Sequence, residues 1–351
     1  MTIVLIILFI FTIITSKPVK YNEDYLSKRY TNIIKGIFLI FVFIKHFISY
    51  KIPFQDNWID SIGITLLNKM GQLIVTLFLF YSGYGVMESI KNKGENYIKT
   101  FPKKRILTTL INFDIAVLIY MFASKYFINH PFSISKLLLS LIGWDTFGNS
   151  NWYIFAIIIL YFITYLSVKS FKNRNHQVIS IFIGTLLYTV LLSFYKETYW
   201  YNTAFCFVFG VAYSAYKENL EKWILGKEWL LIIYFLALYV ISYLLKANMV
   251  WYHIYTIAFT AIIVLFTRKI QIKNAILQWV GKNLFPMYIF QRLPMMLLKD
   301  IDYFKNNTYI FFITALIITV LITFIYNFVI WTKNKITNIN RKEEAKWKKY
   351  Q

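Results

Sequence analysis

The sequence predicts an all-α fold, a polytopic transmembrane helical bundle of about 10–11 spans with no soluble domain, on composition, run length and charge placement. Of the 351 residues, 58% are hydrophobic and 20% aromatic, with a mean hydropathy of +0.53. A soluble chain of this length is far less apolar. Apolar runs fall at roughly 2–16, 32–50, 71–90, 106–128, 152–168, 177–195, 200–216, 229–245, 250–267, 276–293 and 309–331, most of them near the length that crosses a bilayer. The segments between them alternate in charge. One set carries 26 Lys and Arg and the other 9, which places the basic set and the C-terminus in the cytoplasm.

The 33 Phe, 28 Tyr and 10 Trp suit lipid-facing and interfacial positions. A net charge of +22 is spread over short loops rather than gathered in one patch, so it speaks for membrane orientation and against nucleic acid as a partner. The single cysteine, Cys206, lies in an apolar run and leaves neither a disulfide framework nor a metal-ligand cluster; no metal is expected. The first run lacks a basic flank and a small-residue cleavage pattern, so it is expected to be retained as a span. The expected organisation is therefore an extra N-terminal span and basic linker over 1–30, a membrane core over 31–332, and a basic cytoplasmic tail over 333–351.

Polar side chains at membrane depth are costly and therefore informative. Here they are Lys35, Lys45, His46, Asp114, Lys282 and Gln291. Lysines near helix ends can snorkel, and Lys45 is discounted on that ground. The imidazole of His46 is too short to do so. It stands eleven residues after Lys35, roughly 16 Å along a helix at about 1.5 Å per residue. A neutral imidazole there is either bonded between helices or able to take a proton from a hydroxyl and return it. Asp114, the only carboxylate deep in a run, either orients His46 or pairs with Lys35 or Arg105. His130, His176 and His253 sit near run ends and read as interfacial. Asp56, Asp60, Trp144 and Asp145 lie on outer loops, where a sugar ring stacks on an aromatic ring and bonds a carboxylate.

Lys35 and His46 resemble the Arg/Lys, ten residues, His pattern of the acyltransferase-3 family, integral-membrane O-acyltransferases that modify cell-surface sugars. The likeness continues in Leu77-Phe78-Leu79-Phe80-Tyr81-Ser82-Gly83-Tyr84-Gly85, in the basic stretch Phe101-Pro102-Lys103-Lys104-Arg105-Ile106, and in Asn151-Trp152-Tyr153-Ile154. It extends to Phe205 through Tyr213 with Gly210, and to Gly281 through Gln291. Two departures stand out: Thr108 follows Arg105 by three residues, so the second arginine of the family's basic loop is either missing or replaced by Lys103 or Lys104, and Gln291 stands at or near the place where the late helix often has a histidine. Glutamine cannot titrate, so only a hydrogen-bonding role remains there.

The resemblance implies transfer of an acyl group, most often acetyl, from a cytoplasmic acyl-CoA such as acetyl-CoA to a sugar hydroxyl of an envelope polysaccharide or lipid-linked glycan. The setting it implies is the bacterial plasma membrane, with membrane lipid, the thioester and the glycan as partners and no bound cofactor. His46 would be the general base, supported by Asp114. Lys35, Arg105 and Lys104 would hold the donor phosphates, and Trp152, Tyr153, Gln291 and Asp145 the acceptor. The alternatives are a polysaccharide translocator or polymerase, which needs more intramembrane charge or a larger cationic outer loop, and a membrane sensor or scaffold without chemistry.

Overall fold

The computed structural model describes residues 1–50, 58–128 and 132–347, with side chains for all of these except 58, 334 and 336–347. It is 81% helical with almost no sheet. Among the described residues, seven helical stretches are long and apolar enough to cross a membrane.

The chain opens with α1 (Thr2–Ile14) and continues through α2 (Lys28–Tyr50), α3 (Trp58–Met70) and α4 (Leu73–Phe101). A π-helical turn over Pro102–Leu107 joins α4 to α5 (Thr108–Phe127). The helical stretch Leu73–Phe127 that holds two runs of the sequence is interrupted at Gly94, whose φ of 53° and ψ of −139° are not helical, so the two runs are separate helices on either side of a kink. Next come α6 (Ile134–Leu141), α7 (Trp152–Ser170), α8 (Arg174–Ser193), α9 (Phe205–Ala215) and α10 (Lys217–Ile224). The run at 200–216 yields only the 11 helical residues of α9, because Thr198–Trp200 form a separate tight turn.

Two further spans, α11 (Glu228–Leu245) and α12 (Met249–Thr267), precede α13 (Ala275–Lys282), α14 (Leu284–Phe290) and α15 (Arg292–Leu298). These three short helices replace one expected span. Pro286 and Pro294 each sit at the third residue of a helix, where the missing N–H is harmless, but neither can continue a helix arriving from before it. The chain therefore breaks at Asn283 and Gln291. It ends with α16 (Asp302–Asn306) and α17 (Thr308–Trp347). The only strand pair among the described residues joins Ser16–Pro18 to Ile270–Ile272.

Contacts between loops sort into two ends. At one end the linker after α1 meets the loop after α12 through Val19 N to Lys269 O (2.8 Å), and Lys91 bonds Ser214 O (2.9 Å). At the other, Thr2 N and Tyr309 Oη bond the Asp60 carboxylate (2.9 and 3.2 Å), and Lys196 bonds Trp144 O (2.8 Å). The first end gathers the basic loops, so packing and charge count divide the chain alike.

Two helix crossings depend on the absence of a side chain. A Cβ on Gly281 would lie 1.8 Å from Asn32 O, and one on Gly36 would lie 2.0 Å from Leu277 O, so α2 and α13 touch backbone to backbone. Gly83 and Gly210 do the same for α4 and α9, with Cβ positions 2.1 Å from Phe207 O and 2.0 Å from Phe80 O. Small residues at helix interfaces allow this approach, which is the main source of attraction between helices where lipid is as apolar as the side chains.

The basic end is tied by Arg268, fully buried at the end of α12. It pairs with Glu221 and with Glu228 (3.4 Å), donates to Tyr25 Oη (3.1 Å) and lies over the Tyr21 ring at 4.9 Å. Burial alone would raise the Glu221 carboxyl, but hydrogen bonds from Tyr25 and Arg268 hold it below its ordinary 4.5. A depressed carboxylate contributes stability above pH 4.5 that is lost as the pH falls through its folded value.

Thermal unfolding in detergent checks both features. Gly281→Ala should lower stability by about 2 kcal/mol or more through overpacking, whereas Gly85→Ala, whose Cβ meets open space, should not. Acidification below pH 4.5 should lower the wild-type midpoint more steeply than that of Glu221→Gln, which starts lower at neutral pH.

A candidate active site between the basic end and His46

A cavity of about 570 Å³ opens at the basic end between α2, α4, the π-helical turn and α7. Lys28, Lys35, Lys93 and Arg105 line it, with one facing carboxylate, Glu88, that is already taken by Lys91 and Ser214. Arg105 is steered into place by its own surroundings: Nε donates to Tyr97 Oη (2.8 Å) and the guanidinium bears on Tyr161. Like charges gathered without matching acids form a place for an anion.

The Ser82-Gly83-Tyr84-Gly85 stretch divides its work by helical face. Gly83 is spent on the α4–α9 crossing, while Ser82, Tyr84 and Gly85 line the cavity. Ser82, Tyr161 and Leu284 also line a second, smaller cavity of about 140 Å³, which continues to Tyr153 and Tyr288. Ser82 lies between the hydroxyls of Tyr153 and Tyr161. Tyr153 meets Tyr288 edge to face at 5.5 Å, and the Tyr288 ring stands 6.3 Å from that of His46. The basic cavity thus leads along one wall of α4 toward His46.

Around His46 the hydrogen-bond accounting does not close. Nδ1 of His46, Oη of Tyr288, Oε1 of Gln291, Oγ of Ser150 and Nδ2 of Asn149 are all buried and have no partner among the described residues. Ser150 approaches Tyr288, but the pair falls outside hydrogen-bond geometry. Each such group left unmet costs about 1–3 kcal/mol. They lie on α2, on α14 and the residue after it, and in the turn before α7; His46 and Ser150 stand beside Tyr288, and Gln291 follows it by one turn, so unmet polar atoms gather around the Tyr288 hydroxyl. Arg292 flanks them; its charge bears on His46 and Tyr288, and its Nε donates to Tyr50 Oη (3.0 Å).

The family model for an acyltransferase domain, acyltransferase-3, matches residues 28–328. The chain belongs to the acyltransferase-3 family. No curated protein and no solved structure matches it. It is a multi-pass membrane acyltransferase.

The acyltransferase brings together Lys35 and Arg105 at the basic cavity and Tyr153 at the smaller one, with His46 beside Tyr288 of that smaller cavity; Gln291 is buried one turn after Tyr288 and lines neither. It does not bring the others there. Lys104 is exposed and lines neither cavity. Asp114 makes no ion pair among the described residues, neither with His46 nor with Lys35 or Arg105, and its Oδ1 is left without a partner. Trp152 opens α7 with its ring edge to face with Tyr153 (6.0 Å) and Tyr199 (6.1 Å). Asp145 caps its own turn, accepting from Thr146 N (2.6 Å).

Among the remaining sequence candidates, Asp60 is a buried tie between α1, α3 and α17. The Trp144 ring carries Lys196 at 4.0 Å. His253 is not interfacial but buried edge to face on Phe205 at 4.8 Å. Lys45 bonds Asn68, and Cys206 is a buried core residue. Asp56 and His130 lie outside the described residues.

Sequence reasoning missed Tyr288, Ser150, Asn149 and Arg292. Tyr288 and Ser150 hide among 28 tyrosines and ordinary loop serines. Arg292 carried a usable signal, being a cation one residue after an intramembrane glutamine, but loop charges are expected in any case.

Tyr120 and Tyr288 separate structural from functional tyrosines. Tyr120 Oη donates to Ile289 O (3.0 Å), so Tyr120→Phe should cost about 1 kcal/mol of stability. Tyr288→Phe should cost none, its hydroxyl having no protein partner, and should still impair acyl transfer.

Proposed function

We propose that the acyltransferase moves an acyl group, acetyl in the simplest case, from a cytoplasmic acyl-CoA to a sugar hydroxyl of an envelope polysaccharide or lipid-linked glycan in the bacterial plasma membrane. The observation that carries this reading is the series of two adjoining cavities, the basic one leading to the unpartnered Tyr288 hydroxyl beside His46. The phosphates of coenzyme A are matched by Lys28, Lys35, Lys93 and Arg105. The thin pantetheine arm suits the smaller cavity past Ser82 and Tyr161, with the thioester reaching Tyr288 and His46. Lys104 and Asp114 have no part in this reading.

In the transfer, a free nitrogen of His46 takes the proton of the acceptor hydroxyl as its oxygen bonds to the thioester carbonyl carbon. Negative charge moves to the carbonyl oxygen, where the unpartnered Tyr288 hydroxyl is a donor in place. Collapse of this adduct breaks the carbon–sulfur bond, and the imidazolium returns its proton to the departing thiolate. Gln291 Oε1 and Ser150 Oγ are free to bond neighbouring hydroxyls of the sugar.

His46→Ala should abolish ester formation on envelope glycans while expression and membrane insertion stay normal, read by mass analysis of the extracted glycan. Lys35→Met and Arg105→Met should raise the KM for acyl-CoA about tenfold or more with a smaller effect on kcat, since each removes a charge-assisted contact of about 1.5–3 kcal/mol. Unchanged acylation in His46→Ala would refute the mechanism.

A further inference from the structure

A groove of about 600 Å³ opens on the side of the bundle between α1, α2, α13 and α17. Leu39, Phe43, Trp279, Val280, Leu316 and Val320 are among its walls, and Gln291 is its one polar lining residue. Both α2 and α17 are membrane spans, and the helix surface beside the groove is apolar and exposed at Ile276, Ile313, Ile317 and Leu321. The groove therefore faces hydrocarbon. Water has no partners along such walls, so its occupant is a lipid chain.

Gln291 distinguishes this groove from a generic greasy surface. It is 1% exposed, it lines the groove, and its Oε1 has no partner. Its chain neighbours belong to the His46 pocket: Tyr288 lies one turn before it and Arg292 immediately after. Among the described residues Arg292 has no ion pair, only the Tyr50 hydroxyl. An apolar sleeve, a buried acceptor and a guanidinium with no ion pair among the described residues follow one another, and the charge of that guanidinium bears on His46. That order is complementary to an amphiphile with a hydrocarbon chain, an anionic phosphate and a hydroxyl-bearing head.

We infer that the groove seats the acceptor's own lipid, a single-chain polyprenyl-type phosphate that carries the acceptor sugar, with the phosphate at Arg292 and the sugar hydroxyl presented to His46. This deepens the acyl-transfer reading and rests on it for the role of the sugar. It selects the lipid-linked glycan over the finished polymer, because the groove is apolar and meets, at its polar end, the buried Gln291, one turn after Tyr288 and next to Arg292. It also gives Gln291 a role that a titrating residue could not improve: accepting a hydrogen bond from the head group at the boundary between sleeve and pocket.

The test uses the full chain in nanodiscs with a diazirine-bearing polyprenyl phosphate as probe, read by cross-link mapping and native mass spectrometry. Cross-links should map to α2, α13 and α17. Val320→Trp, or Ile276→Trp at the exposed mouth should the former fail to fold, should reduce retained probe about tenfold. Leu321→Trp, on the lipid-facing side outside the groove, should not. Arg292→Gln should remove the preference for polyprenyl phosphate over the neutral polyprenol. Equal retention in the groove-filled variants, or displacement of the probe by phosphatidylglycerol as readily as by unlabelled polyprenyl phosphate, would overturn the assignment. His46→Ala should still bind the probe, so loss of probe binding tests the groove, while persistence of glycan acylation in that variant tests the transfer chemistry separately.

Discussion

The structure depends on backbone contact at two glycine crossings. Gly36 against Gly281 draws α2 onto α13, and Gly83 against Gly210 draws α4 onto α9. Each glycine sits beside a residue of the site, Lys35 in the first case and Ser82 in the second. Neighbouring positions on a helix point about 100° apart, so fixing one face against a partner's backbone fixes where the next residue points. The crossings thereby aim Lys35, Ser82 and Gly85 into the basic cavity. They also anchor α13, from which the broken segment carrying Tyr288, Gln291 and Arg292 continues to His46.

That broken segment shows why a helix interruption is tolerable at membrane depth. Backbone groups freed at Asn283 and Gln291 need partners where lipid supplies none. The helical ladder runs up to each interruption, where Asn283 N bonds Trp279 O (3.1 Å) and Gln291 N bonds Met287 O (3.2 Å). Tyr120 satisfies Ile289 O from α5. These backbone groups have partners, and Gln291 Nε2 donates to Tyr288 O (3.1 Å), while Tyr288 Oη and Gln291 Oε1 have none among the described residues.

Much of this was legible in the chain itself. Composition and run length gave the helical bundle, and the charge alternation sorted the loops into the same two ends that the packing does. Lys35, Arg105, His46 and Gln291 stood out because polar groups in apolar runs are rare. The limits are also physical. Whether an apolar run forms one span or three short helices depends on Pro286 and Pro294 relative to local partners, and periodicity does not report that. Asp114 looked like a partner for His46 because it was the only deep carboxylate; depth along the axis carries no information about direction around the helix. Tyr288, Ser150 and Asn149 become visible only when unmet hydrogen bonds are counted in three dimensions.

The cavities also bear on the choice between transfer and translocation. A path for a polysaccharide needs a lumen wide enough for a hydrated sugar chain along its whole length. The cavity that adjoins the basic one on the side of Tyr288 and His46 is the smaller of the two, about 140 Å³ against about 570 Å³. Aromatic rings of Phe78, Tyr153, Tyr161 and Tyr288 wall it, and the rings are braced edge to face. Such a passage suits a thin acyl-bearing arm rather than a polymer. The wide openings lie instead at the basic end and at the side groove, one lined with cations and the other with hydrocarbon. On the proposed transfer reading, two reactants of opposite character would enter by these two openings and would need only a narrow connection between them.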